Sequence, residues 1–178
     1  MGGDLIGAYF FIPLARRPAS HEELFDRLGV DRTTADFGPL TVADRRVDEL
    51  GDRICAQLSF LVADLIQVRV GARGDELPLE DDPALPFAIA FRDGAARVGA
   101  DVAILATNSP APDSILGRYW MIQTGDATSL AAEYFGLLYL DDSLVLDWSP
   151  PDHLLDRDEL PGGPGRTLFA QRGRQRWY

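Results

Sequence analysis

The chain has 178 residues, and its 17 basic side chains stand against 28 acidic ones, which gives a net charge of −11. Every basic residue is an arginine, so Schiff-base catalysis, a lysine general base and a P-loop phosphate site are excluded. The strong negative charge also makes nucleic acid an unfavourable partner, because an acidic surface repels phosphate.

The N-terminal segment predicts a strand followed by a short helix. Leu5 to Leu14 is rich in aromatic and β-branched residues and nearly apolar throughout, which is typical of a strand covered on both faces. Ser20 and Glu23 have the spacing of a capping box, and they predict a helix that ends near Leu28. Gly29 suits the position directly after that helix.

A long amphipathic helix over about Val42 to Ile66 is the central structural prediction, with Thr41 as its N-cap. Apolar residues recur there in steps of three and four, which is the helical period. We therefore expect Leu58 and Leu61 to be buried against a sheet. The residues that form the stripe are Val47, Leu50, Ile54, Leu58, Leu61, Val62 and Leu65.

The second half of the chain predicts mostly strands. Residues 87–106 are expected to form a hairpin, because Phe87, Ile89 and Phe91 alternate and Asp93-Gly94 is a favoured two-residue turn. The later predicted elements are a loop over Gly71 to Pro86, a strand over Ile115 to Gln123, either a helix over Ala127 to Phe135 or a strand over Tyr134 to Leu140, and a hairpin with strands 137–140 and 144–148.

These elements together predict an α+β fold. We expect a mainly antiparallel sheet, with one long amphipathic helix packed on a face and one or two shorter helices. Residues 1–160 are expected to form a single domain, and residues 161–178 a basic and aromatic C-terminal tail.

Charge changes sign abruptly near residue 160. Residues 121–160 carry nine acids and one base, whereas the tail carries four arginines and no acid. We expect the tail to dock on an acidic surface of its own chain or of a second copy, so a homo-oligomer could form through it. The predicted partner-binding residues are Asp141, Asp142, Asp147, Asp152, Asp156, Arg172, Arg174, Arg176 and Trp177.

No residue pattern predicts a catalytic centre, a cofactor or a metal site. His21, His153 and Cys55 are too few for a closed zinc site, and the carboxylate clusters lack the spacing of a calcium-binding EF-hand loop. A Cys55–His153 nucleophile and base would need the fold to bring the two together. Cys55 is more simply a small buried side chain.

The lead hypothesis is a non-enzymatic protein that binds a basic protein partner, such as an immunity protein that neutralises a toxin, or an escort. A negative surface speeds encounter with a basic partner. The alternatives are a small-molecule-binding protein or small enzyme with a pocket between the long helix and the sheet, and a structural subunit of a larger assembly. The start of the chain has no basic region typical of a signal peptide, so we expect a bacterial cytoplasmic protein without a membrane segment.

Overall fold

The computed structural model describes residues 5–30, 36–38, 40–61, 85–107, 135–145 and 157–170. These residues build an eight-stranded sheet in the order β2-β3-β4-β1-β5-β6-β8-β7, and every pair of neighbouring strands is antiparallel. The elements are β1 (Leu5–Pro13), α1 (His21–Leu28), β2 (Asp36–Phe37), β3 (Leu40–Leu50), β4 (Arg53–Leu61), α2 (Leu85–Val98), β5 (Val102–Thr107), β6 (Phe135–Leu140), α3 (Asp142–Val145), β7 (Arg157–Glu159) and β8 (Arg166–Ala170), with a 3-10 turn at Leu14–Arg16.

The first strand lies in the middle of the sheet, between β4 and β5. Its side chains from Ile6 to Ile12 are buried on both faces, as the apolar sequence predicts. Pro13 ends the strand, where its missing N–H removes no hydrogen bond from the middle of the ladder.

The main core lies on the sheet face that carries Phe10 and Phe60. Helices α1 and α2 pack there, and the rings of Phe10, Phe37, Phe60, Phe87 and Phe91 contact one another with centroids 5.3 to 6.1 Å apart. Ring pairs at this distance stabilise a core beyond the area that they bury. The ring cluster therefore joins α2 to β1, β2 and β4, and Leu24, Phe25 and Leu28 of α1 belong to the same buried core.

The start of α1 confirms the predicted capping box. The Ser20 hydroxyl accepts a hydrogen bond from the Glu23 N–H at 3.1 Å, and the Glu23 carboxylate accepts one from the Ala19 N–H at 3.0 Å. Gly29 follows the helix with φ of +91°, a left-handed conformation that glycine adopts readily.

The predicted long helix is replaced by a hairpin of β3 and β4 over residues 40–61. Leu50 pairs with Arg53, so Gly51-Asp52 forms a two-residue turn, in which Gly51 has φ of +65°. The side chains from Ile54 to Phe60 are buried on both faces of β4. An amphipathic helix over the same residues would have placed Gln57 on its solvent face, whereas in the strand Gln57 is buried. Leu58 is buried as predicted, whereas Leu61 is exposed at 38%.

The predicted hairpin over 87–106 is also corrected, since residues 85–98 form α2 and only β5 is a strand. Phe87, Phe91, Ala95 and Val98 are buried at helical spacing, while Ile89 is 37% exposed. Gly94 lies inside this helix instead of in a turn. A Cβ there would stand 3.1 Å from the Leu28 carbonyl oxygen, so the glycine allows α1 and α2 to approach closely.

The C-terminal part contains β6, the strand that competes with the third predicted helix. The predicted hairpin after β6 is replaced at Asp142 by α3, a helix of a single turn. The Ser143 N–H lies in this first turn, where it has no acceptor within the helix. The Asp141 carboxylate accepts this N–H at 3.0 Å and so caps the turn. Residues 166–170 of the predicted tail form β8, between β6 and β7. The predictions for 62–84, 108–134 and 146–156 lie outside the described residues.

Candidate interaction surface

A groove opens between α1 and the edge strand β3. It has a volume of about 220 Å³ and is lined by His21, Glu22, Phe25, Asp26, Val30 and Arg45. Phe25 and Val30 are buried and form its floor, whereas Glu22, Asp26 and Arg45 are exposed at its rim. The groove therefore combines an aromatic floor with an acidic helix face.

The groove already holds a cation of its own chain. The Arg45 guanidinium carbon lies 5.1 Å from the centre of the Phe25 ring, within the range of a cation–π contact. The negative face of the ring and the carboxylates on α1 both favour a positive charge at this position. The local chemistry thus suits an arginine side chain better than an anion.

Strand β3 forms a long accessible edge beside this groove. Among the described residues, β2 pairs only with Leu40 and Thr41, so β3 from Val42 to Leu50 has no strand on its outer side. Asp44, Arg45, Arg46 and Glu49 are exposed along it. Such an edge can accept a further strand through its main-chain N–H and C=O groups.

Two arginine–carboxylate pairs tie the ends of the central strands together. Arg53 on β4 contacts Asp101, which precedes β5, with its Nη2 2.6 Å from Oδ2 and its Nε 3.4 Å from Oδ1. The side chains are 14% and 7% exposed. Arg16 pairs in the same region with Asp141 at 2.5 Å. The Arg53–Asp101 pair leaves little charge accessible to a partner, whereas the Arg16 side chain is 44% exposed.

The predicted partner-binding residues fall into three groups. Asp141 is engaged inside the chain, because its carboxylate binds both Arg16 and the Ser143 hydroxyl. Asp142 is exposed at the start of α3. The remaining predicted residues lie outside the described ranges, so their role stays a prediction: Asp147, Asp152, Asp156, Arg172, Arg174, Arg176 and Trp177.

Cys55 has the properties of a buried structural residue. Its side chain is fully buried, and burial, reinforced by the nearby Asp48 charge, raises the pKa of its thiol. A thiol held neutral in this way is a poor nucleophile. Tyr9 lies on the same face, accepts a hydrogen bond from Gln57 at 3.4 Å, and has a pKa that burial also raises. His153, the predicted base, is outside the described residues.

The described residues contain no group of three or more His, Cys, Asp or Glu side chains placed to hold a metal ion. Within the same ranges, no helix combines the length and apolar character needed to cross a membrane.

Sequence reasoning missed the groove although it predicted one of its walls. The capping box located α1, and the helical period separates buried Leu24, Phe25 and Leu28 from exposed Glu22 and Asp26. The second wall, β3, was predicted as helix, so the two could not be placed side by side. Comparison with protein-family models, with curated proteins and with solved structures finds no match to this chain.

Proposed function

We propose that this protein is a non-enzymatic interaction protein that binds a basic protein partner, as an immunity or escort protein does. The observation that carries the proposal is the acid-lined groove, in which a guanidinium group lies over the Phe25 ring. A partner's arginine would bind at the same ring, beside the carboxylates of Glu22 and Asp26. The net charge of −11 would draw such a partner in from a distance.

The size of the groove favours this function over small-molecule binding. Its volume of about 220 Å³ lies below the roughly 300–1,000 Å³ of typical ligand pockets. One long side chain fills such a space, and the rest of a protein partner would contact the surrounding surface. We further propose that the chain forms a single α+β domain and that the protein acts in the cytoplasm.

The test is binding of a fluorescent peptide in which arginine alternates with serine, measured by anisotropy at low and high salt. A second peptide carries citrulline, the neutral isostere of arginine. We expect the arginine peptide alone to bind. Asp26→Asn should weaken its binding about two- to fivefold, the effect of one exposed ion pair.

Asp52→Asn is the matched control, because Asp52 is 85% exposed on the β3–β4 turn and the variant changes net charge equally. An equal loss in both variants would mean that only the overall charge attracts the peptide. Equal binding of the citrulline peptide would show that no guanidinium is recognised. Either result would overturn the proposal.

A further inference from the structure

The order of charges along β3 is complementary to itself when the strand is reversed. The segment Asp44 to Leu50 reads Asp-Arg-Arg-Val-Asp-Glu-Leu, with two bases before Val47 and two acids after it. In an antiparallel pair of two identical strands related by a twofold axis at Val47, Arg46 faces Asp48 and Arg45 faces Glu49. Each contact occurs twice, so four opposite-charge pairs surround a central Val47–Val47 contact.

The neighbouring registers lack this match. In an antiparallel pair, residues opposite each other point to the same face of the sheet. A twofold axis perpendicular to the sheet therefore has to lie between one residue and its own copy, and each choice of that residue defines one register. An axis at Arg46 would oppose Arg46 to itself and Asp44 to Asp48. An axis at Asp48 would oppose that carboxylate to its own copy. Like charges directly opposite each other are unfavourable, so the Val47 register is selected.

Within the part of the chain that the structure describes, β2 does not overlap this register. The paired span would be Asp44 to Leu50, so Leu40 and Thr41, which pair with β2, lie outside it. The side chains of Arg46 and Glu49 are 57% and 80% exposed. Arg46 now contacts Asp48 of its own strand at 3.3 Å, where the Asp48 side chain is 29% exposed, and dimerisation would exchange this contact for the same contact across the axis.

We propose that β3 is a dimerisation edge, and that its partner is the β3 strand of a second copy of this chain. The two sheets would then form one continuous sheet across the dimer, with α1 of both copies on the same face of it. Charged residues on an edge strand commonly prevent strand addition. Of the registers with an axis at Arg46, Val47 or Asp48, only the one at Val47 is free of like-charge contacts, so the same charges favour the identical partner.

The experiment measures mass in solution by sedimentation equilibrium over a range of concentrations. The wild-type chain should reach twice its 19.5 kDa, and salt of about 1 M should weaken the dimer because it screens exposed pairs. Arg46→Glu, or separately Asp48→Arg, should weaken self-association on the order of tenfold or more, since two attractive contacts become repulsive.

Mixing the two variants provides the decisive control. One chain then presents two acids at positions 46 and 48 and the other presents two bases, so a heterodimer should form where neither variant pairs with itself. Urea unfolding of each variant at low concentration checks that the monomer is folded. A wild-type chain that stays monomeric, or variants that dimerise as well as the wild type and do not prefer each other, would overturn the proposal.

Discussion

The buried pair between Arg53 and Asp101 gives the sharpest stability prediction. Asp101→Asn keeps the shape of the side chain but leaves the Arg53 guanidinium, only 14% exposed, without its closest carboxylate. Removing one partner of a buried ion pair typically costs about 3–5 kcal/mol. Arg53 also lies 3.3 Å from the exposed Asp52, which can take part of the charge, so we expect the lower end, about 3 kcal/mol.

Asp52→Asn is the control on the same arginine. Asp52 is 85% exposed, so its removal should cost about 0–1 kcal/mol, as exposed ion pairs do. Replacing both buried partners, as in Arg53→Met with Asp101→Leu, should recover most of the loss because no unpaired charge then remains buried. Unfolding in urea, followed by circular dichroism, measures all three.

The reasoning fails if Asp101→Asn and Asp52→Asn lower the free energy of unfolding equally. It also fails if the apolar double variant is as unstable as Asp101→Asn, because loss of the closest carboxylate from a buried arginine would then not be the cause.

Three further predictions, made with five variants, test other parts of the fold. Ser20→Ala should cost about 1 kcal/mol of stability by removing the α1 cap, whereas Ser20→Asp, which can still accept the Glu23 N–H, should cost little in the same urea assay. Leu58→Ala should cost about 2–5 kcal/mol at a fully buried site, and Leu61→Ala less than about 0.5 kcal/mol at an exposed one. Burial raises the pKa of Cys55 above its ordinary 9.0, so the unfolded chain loses this proton first, and stability should fall as the pH rises through 9, with a slope that approaches about 1.4 kcal/mol per pH unit near pH 10. Cys55→Ala should remove that slope between about pH 9 and 10, and an unchanged slope would assign it to another group.

The sequence was sufficient to predict those elements whose conformation depends on interactions between residues close together in the chain. The Ser20–Glu23 capping box, the Gly29 end of α1 and the apolar β1 all have causes within a few residues, and the structure confirms them. An antiparallel sheet with helices could therefore be predicted from the sequence.

The two largest errors, the long helix and the hairpin over 87–106, have a common physical origin, because tertiary contacts overrode a local pattern. The stripe from Val47 to Leu65 fits a helix, yet Gly51-Asp52 is also a hairpin turn, and pairing of β4 with the central β1 settles the choice. The alternation of Phe87, Ile89 and Phe91 fits a strand, yet residues 85–98 form a helix whose buried face packs on the sheet and on α1, with Gly94 beside the Leu28 carbonyl oxygen. Neither long-range contact can be predicted from a single sequence. The groove and the β3 edge depend on these contacts, so they could not be predicted either.

The groove and the edge share Arg45, and this links the two proposals. In the proposed dimer Arg45 faces Glu49 of the second copy, so it would leave the Phe25 ring that it now covers at 5.1 Å. Dimerisation would then open the ring to a partner's arginine, and partner binding would favour the dimer to the same extent.

The variant Arg46→Glu separates this coupling from simple charge attraction. It makes each chain more negative, so long-range attraction alone predicts tighter binding of the arginine peptide. It also weakens dimerisation, so the coupling predicts weaker binding at concentrations where the wild type is dimeric and the variant is mostly monomeric. Adding Arg45→Gln to both proteins removes the cation that covers the ring, and the difference between them should then disappear. Tighter binding to the Arg46→Glu chain would show that the groove does not depend on the edge.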